Sequence, residues 1–160
     1  MAGRKTLIAY VTKGGATKEY AAAIAEVLRA KHKLEVDVIN LMKNSPDISG
    51  YANIVAGSGV RGGKTYKEFD VFVQKDFGSR KLALFVVCGA AGDKRPEERR
   101  KAKERYWQAT LSKNPSLEPR LVGFETFGGR MKLLWKVTFD YRDMKKAAEW
   151  AERVGKFLSR

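Results

Sequence analysis

The chain has 160 residues, 44% of them hydrophobic, enough for one domain with a full core and too few for two, so a single domain over residues 1–160 is expected. Thirty-two lysines and arginines against 18 acidic residues give a net charge of +14, which points to an anionic partner: nucleic acid, an anionic membrane surface or an acidic protein. With Cys88 the one cysteine and His32 the one histidine, an internal disulfide framework and a zinc site of the usual ligands are both excluded.

The opening Met1-Ala-Gly-Arg-Lys5 leads into a strand pattern instead of a signal peptide. No apolar run approaches the roughly 20 residues that span a bilayer, so a cytoplasmic protein is expected. Leu7 to Val11 reads as the first strand. It ends in Thr12-Lys13-Gly14-Gly15-Ala16-Thr17 and opens straight into a helix, Ala16 to Lys31, on which Tyr20, Ile24, Val27 and Leu28 recur at three- and four-residue intervals. The first amides of a helix lack intrahelical acceptors and carry the positive end of its dipole, so two hydroxyls and two glycines ahead of them can wrap an anion. An ordinary turn with Thr17 as cap is the equal alternative on this evidence.

Leu34 to Ile39 alternates like a strand near a sheet edge. Asn53 to Ala56 is a short third strand running into Gly57-Ser58-Gly59-Val60-Arg61-Gly62-Gly63-Lys64-Thr65, and Tyr66 to Lys75 resumes helical spacing. Leu82 to Val87 is the most continuously apolar run and so the candidate for the sheet centre. Cys88-Gly89-Ala90-Ala91-Gly92 follows it, then a helix from Pro96, where proline suits the first position. The mixed-charge run Lys94 to Arg105 reads as a solvated helix face. Leu121 to Phe127 is a fifth strand. The stretch 128–139 mixes basic residues with Met131, Leu133, Leu134, Trp135 and Phe139, which suits either a membrane surface, a hydrophobic substrate or burial against the last helix. That helix, Asp143 to Leu158, carries an apolar stripe, with Asp140 or Asp143 placed to cap it.

Five alternations of strand and helix predict an α/β fold, a doubly wound parallel sheet with helices on both faces. Ligands bind such sheets at the carboxyl ends of the strands, so the loops 12–17, 57–65 and 88–92 should gather on one edge. No Gly-x-Gly-x-x-Gly follows the first strand, which removes the dinucleotide fingerprint. Ser58 to Thr65 matches a nucleoside-triphosphate P-loop except for Ser58 at its first glycine. It follows the wrong strand and lacks a strand-ending aspartate for magnesium, so an NTPase is a distant alternative.

Ile8, Tyr10, Thr12, Gly15, Thr17, Ala21 and Ile24 agree with the flavodoxin signature, Ala9 being the one departure. The chain thus resembles the flavodoxin family. Within it, the loop 57–63 followed by Phe69, the segment 129–136 and the ending from Asp140 through Trp150 are similar to the flavodoxin-like, oxygen-independent protoporphyrinogen oxidases. Gly62 stands where that subfamily has an aromatic, and its long basic insert is shortened.

The resemblance implies strand order 2-1-3-4-5 and flavin mononucleotide (FMN) as cofactor. Thr12 and Thr17, with the amides of Lys13, Gly14, Gly15, Ala16 and Thr17, would hold the phosphate, and the ring system would lie between Ser58 to Lys64 and Cys88 to Gly92. A rotating peptide at Gly59, Gly62 or Gly63 would meet the flavin N5, and Arg61 and Lys64 would face the flavin or an anionic substrate. Tyr66, Trp107 and Trp135 are the candidates to stack on the ring. No side-chain acid, base or nucleophile is expected, Cys88 being a small buried residue. The implied function is redox: an electron carrier for an acidic partner or a protoporphyrinogen-type dehydrogenase, with possible peripheral membrane contact through 128–139 and nucleic acid not expected. The alternative from another class is a basic binding module without cofactor that holds nucleic acid or anionic lipid on the same scaffold.

Overall fold

The computed structural model describes residues 5–13 and 15–160. β1 (Lys5–Val11) shows how the sheet is made: Leu7, Ala9 and Val11 point to one face, Ile8 and Tyr10 to the other, and all are buried. A strand apolar on both sides needs cover on both sides. Helices α1 (Ala16–His32) and α4 (Met144–Leu158) supply it on one face, and α2 (Lys67–Phe72) with Leu117 of a 3₁₀ turn (Pro115–Arg120) on the other. A small third cluster under α3 (Pro96–Lys113) joins Val86, Cys88, Ala91 and Tyr106.

The sheet runs β2-β1-β3-β5-β6, all parallel, through β2 (Glu35–Asn40), β3 (Asn53–Arg61), β5 (Lys81–Cys88) and β6 (Leu121–Gly128). Ile8 lies opposite Val38 on one side and Val55 on the other. The doubly wound α/β fold and its 2-1-3-4-5 order are therefore present, once the two-residue β4 (Lys64–Thr65), which pairs back on β3, is set aside. β5 is interior, but β3 is the middle strand; burial on two faces and two neighbours makes both runs continuously apolar.

β3 extends five residues past Ala56 because Gly57 lets the buried Phe85 ring lie across its backbone, where any Cβ would fall inside the ring. Gly62 and Gly63, both with positive φ (59° and 76°), then form the two-residue turn that pairs Arg61 with Lys64. The apparent P-loop is thus a β-hairpin tip, and its glycines answer to turn geometry. α2 is shorter than expected, and Phe77 packs from beyond its end. Asp143 caps α4 by accepting from the Lys146 amide at 3.0 Å, whereas Asp140 is paired with Arg142.

Between β6 and α4 the chain makes an antiparallel hairpin, β7 (Arg130–Leu133) and β8 (Lys136–Asp140), instead of burying itself against the last helix. Leu134 and Trp135 at its tip are 82% and 89% exposed. Tyr20 ties the base of this insert to the fold: its hydroxyl donates to the Gly128 carbonyl at 2.5 Å and accepts from the Asp143 amide at 2.9 Å.

Candidate functional site

At the carboxyl ends of β1, β3 and β5 the chain leaves the sheet in loops that border one cleft of about 440 Å³. The loop after β1 brings Thr12, Lys13, Ala16 and Thr17 to it. Thr12 Oγ1 accepts from the Gly15 amide at 2.9 Å, and Gly15, at φ 89°, is the residue that turns the chain into α1. A left-handed turn at that point suits glycine, so Gly15 and not Thr17 occupies the capping position. Thr17 is buried within the first turn, and its hydroxyl faces Gly59. Gly14 lies outside the described residues.

β3 contributes Gly59, Val60 and Arg61, and the turn after it Gly63. A Cβ on Gly59 would meet Thr17 Oγ1 at 3.2 Å and the Tyr66 ring at 3.3 Å, so hydrogen at this position leaves the space between Thr17 and Tyr66 unfilled. Ser58 stands behind that wall; its hydroxyl donates to the Gly59 carbonyl at 2.7 Å and accepts the Tyr66 amide at 3.1 Å, fixing where Tyr66 sits. Tyr66 lines the cleft beneath the Lys13 ammonium, which lies 5.5 Å from its ring centroid. Gly62 and the exposed Lys64 are not among the residues that line the cleft, nor is Ser58.

After β5, Cys88, Gly89 and Ala90 border the cleft. A 3₁₀ turn (Gly89–Gly92) then rotates the chain, so Ala91 and Gly92 line a different cavity, of about 600 Å³, with Asp93, Lys94 and Arg142. Those two do not belong with the other loop residues. Of the aromatic candidates, only Tyr66 reaches the cleft: Trp107 packs on Phe124, ring centroids 5.3 Å apart, and Trp135 is at the hairpin tip. The aromatic walls include instead Tyr106 of α3 and Phe139 of β8. Burial pushes both the Cys88 thiol and the Tyr106 hydroxyl upward, so each keeps its proton near neutral pH.

A fourth loop completes the cleft. Gly129, Arg130 and Met131 follow β6 and line it, together with Phe139. The same rule that gathered the other three loops applies to a Gly128-Gly129-Arg130 turn after the fifth strand, so the signal was present in the sequence. Arg130 reaches over the first loop: its Nη2 lies 3.6 Å from where a Cβ on Gly15 would be. Its Nε is buried without a hydrogen-bond partner. The cleft lining thus combines cations and hydroxyls with aromatic and apolar side chains, and its described residues include no carboxylate.

A family model described as a flavodoxin domain matches residues 7–149. The chain belongs to the flavodoxin-domain family. Solved structures agree in fold: an archaeal flavodoxin superposes with a TM-score of 0.61 over 98% of this chain and 99% of that one at 13% identity. A Streptococcus pneumoniae flavodoxin gives 0.65 over 96% and 99% at 15% identity. A Lactobacillus acidophilus flavoprotein solved in complex with FMN gives 0.56 over 77% and 93% at 17% identity. No curated protein matches the sequence. The donor set of this flavodoxin-domain cleft fits a phosphate-bearing ring ligand: the Thr12 and Thr17 hydroxyls, the Arg130 guanidinium with its Nε lacking a hydrogen-bond partner, and a glycine-kept gap bordered by Tyr66.

Proposed function

We propose that this chain binds FMN in the cleft and works as an electron-transfer flavoprotein. The phosphate would lie at Thr12, Lys13 and Ala16 to Thr17, and the ring between Gly59 to Gly63 and Cys88 to Ala90. The observation that carries the reading is the meeting of four strand-end loops at one cleft whose lining holds both anion donors and aromatic walls. Bound FMN supplies the one- and two-electron chemistry. The protein's own residues hold and tune it: Thr12 and Thr17 hydroxyls donate to the phosphate, and Tyr66 closes one side. Cys88 and Tyr106, both held protonated, present neutral groups to the ring.

Because Lys13, Arg61 and Arg130 line the cleft and no described carboxylate does, the reduced, anionic flavin is favoured. The midpoint potential is expected above that of acidic flavodoxins. Reconstitution with FMN, followed by spectroelectrochemical titration, tests both statements. A protein that takes up no flavin would leave the basic binding module as the reading. A potential as low as a low-potential flavodoxin would remove the tuning argument.

Two finer readings rest on particular observations. Met131 and Phe139 give the cleft an apolar side open to an organic substrate, which favours porphyrinogen-type dehydrogenation over pure electron carriage. Oxidation of protoporphyrinogen by the purified holoprotein with an artificial acceptor decides between them. The exposed Leu134 and Trp135, followed by the exposed Lys136 on a chain of charge +14, favour peripheral contact with an anionic bilayer. No helix among the described residues is long and apolar enough to cross a membrane, so such contact would be at the surface. Sedimentation with anionic vesicles should be salt-sensitive; no pelleting at low salt sinks it.

A further inference from the structure

Among the described cleft-lining residues, Arg130 is the one with a buried side-chain polar atom that has no hydrogen-bond partner. Its side chain is 17% exposed, its Nε is buried with no partner, and its nearest carboxylate is Glu19, with Oε2 3.9 Å from Nη2. That Glu19 oxygen is likewise buried without a hydrogen-bond partner, although the Glu19 side chain as a whole is 42% exposed, and its distance from Nη2 is too long for a bond. The reason lies in Arg142. Its guanidinium binds Glu19 Oε1 at 2.7 Å and both oxygens of Asp140 at 2.6 and 2.8 Å, taking up the two carboxylates that flank Arg130. Asp140 is also the cross-strand partner of Arg130 in the hairpin, yet its carboxylate is turned to Arg142.

A guanidinium offers five donors in a rigid planar fork, and leaving one buried and unpaired is costly. Here the fork is held over the first turn of α1, beside Gly15, in the wall of a cleft that also presents Thr12 and Thr17. We infer that Arg130 is a phosphate ligand of the bound flavin nucleotide, reaching from the β7–β8 insert to clamp a dianionic phosphate against the Thr12 to Thr17 loop. Glu19 then serves as the orienting group that aims the guanidinium from behind, with Arg142 holding Glu19 in place. The first loop alone provides neutral donors and Lys13; Arg130 adds a bidentate charge, so this chain discriminates by the phosphate as well as by the ring.

The inference rests on the FMN reading, and the experiment separates the two. Apoprotein is titrated with FMN and with riboflavin, following flavin fluorescence, for the wild type, Arg130→Gln and Arg130→Lys, with far-UV circular dichroism to check that each variant is folded. Arg130→Gln is expected to weaken FMN by about 10- to 100-fold, the range of a charge-assisted pair. Riboflavin, which has no phosphate, should stay within about threefold. Arg130→Lys, which keeps the charge and loses the fork, should recover part of the lost preference. Equal weakening of both flavins, or an unchanged FMN affinity, overturns the phosphate contact. A lysine variant as weak as the glutamine one overturns its ionic character. A wild type that binds neither flavin ends the FMN reading and this inference with it.

Discussion

The loop after β1 and the β7–β8 hairpin both border the cleft, and they are built by opposite means. The first is backbone held on buried supports: Val11 and Thr17 are fully covered, Gly15 sets the turn, and Ser58 and Gly59 back it from the next strand. The second is a two-stranded ribbon whose tip meets solvent and whose inner side chains, Arg130, Met131 and Phe139, do the reaching. A wall made of sheet carries the fold's stability in it, whereas a wall made of insert side chains can change without unfolding anything. Substitutions in the sheet wall should therefore register in unfolding, and those in the hairpin in binding alone.

The largest effect is expected at Gly57. Adding a methyl there drives it into the Phe85 ring, itself fully buried against Phe127 and Trp150 with no room to retreat. Gly57→Ala should cost about 3 kcal/mol, the upper part of the range for overpacking. In a urea titration the midpoint should fall with the slope unchanged. An unchanged midpoint would show that the sheet wall is softer than its burial implies, and would erase the contrast with the hairpin.

Next comes Tyr20, the joint between the two walls. Tyr20→Phe leaves the Gly128 carbonyl and the Asp143 amide without their partner, at a cost of about 1 to 3 kcal/mol. Its pH signature is separable. Burial above all pushes the hydroxyl up to about 12. A folded-state value above the unfolded one, near 10, means that the contribution is complete below pH about 10 and is lost as pH rises toward about 12. The variant should flatten this alkaline limb in a pH series of melting temperatures. What remains belongs to Tyr51, whose hydroxyl is also pushed up to about 12, chiefly by its hydrogen bond to Asp37, and to Cys88 and Tyr106, which burial pushes upward as well. An unaltered limb would take the joint out of the account.

The contrast also explains what could be read beforehand. The unbroken apolar run Leu7 to Val11 and the 3.6-residue spacing of Tyr20, Ile24 and Leu28 are direct imprints of burial, and the doubly wound sheet, its two covered faces and three of the four cleft loops are legible from such patterns, whereas the strand order is what the family resemblance implies. The hairpin left no such imprint. Its turn uses Leu134 at φ 57° where a glycine or asparagine would announce a hairpin, and the Leu133-Leu134-Trp135 run imitates a core segment while its last two residues face water. That Ala91 and Gly92 line another cavity is not legible in the sequence, because a small-residue loop says where the chain can bend and nothing about which way the 3₁₀ turn rotates it. Thr17 was offered as the cap because a hydroxyl near a helix start is the commoner device, while the left-handed glycine ahead of it had already made the turn.

Gly59 tests the sheet wall at its edge, where stability and binding should part. Its neighbours, Thr17 Oγ1 at 3.2 Å and the Tyr66 ring at 3.3 Å, need give only a few tenths of an ångström to admit a methyl. Gly59→Ala should cost at most about 1 kcal/mol in stability. The methyl narrows the gap beside the ring, so FMN affinity should drop by about tenfold, and riboflavin by the same factor because the phosphate is not involved. Selective loss of FMN alone would relocate the ring.

The smallest effect on stability should fall at the hairpin tip. Leu134 and Trp135 each leave more than four-fifths of their surface in water, so replacing both by serine removes little packing and adds no buried polar group. The double variant should unfold within about 0.5 kcal/mol of the wild type, as surface substitutions do. Its FMN affinity should hold too, because Arg130 and Phe139 sit at the base of the ribbon and keep their strand register through the Arg130–Asp140 and Met131–Phe139 pairs. Vesicle binding, by contrast, should be lost, since the apolar tip supplies the part of membrane affinity that salt does not screen. If the tip variant unfolds early, the ribbon packs in solution more closely than its exposure allows. If it stays folded and still sediments with anionic vesicles at moderate salt, charge alone holds the surface, and Trp135 has another use.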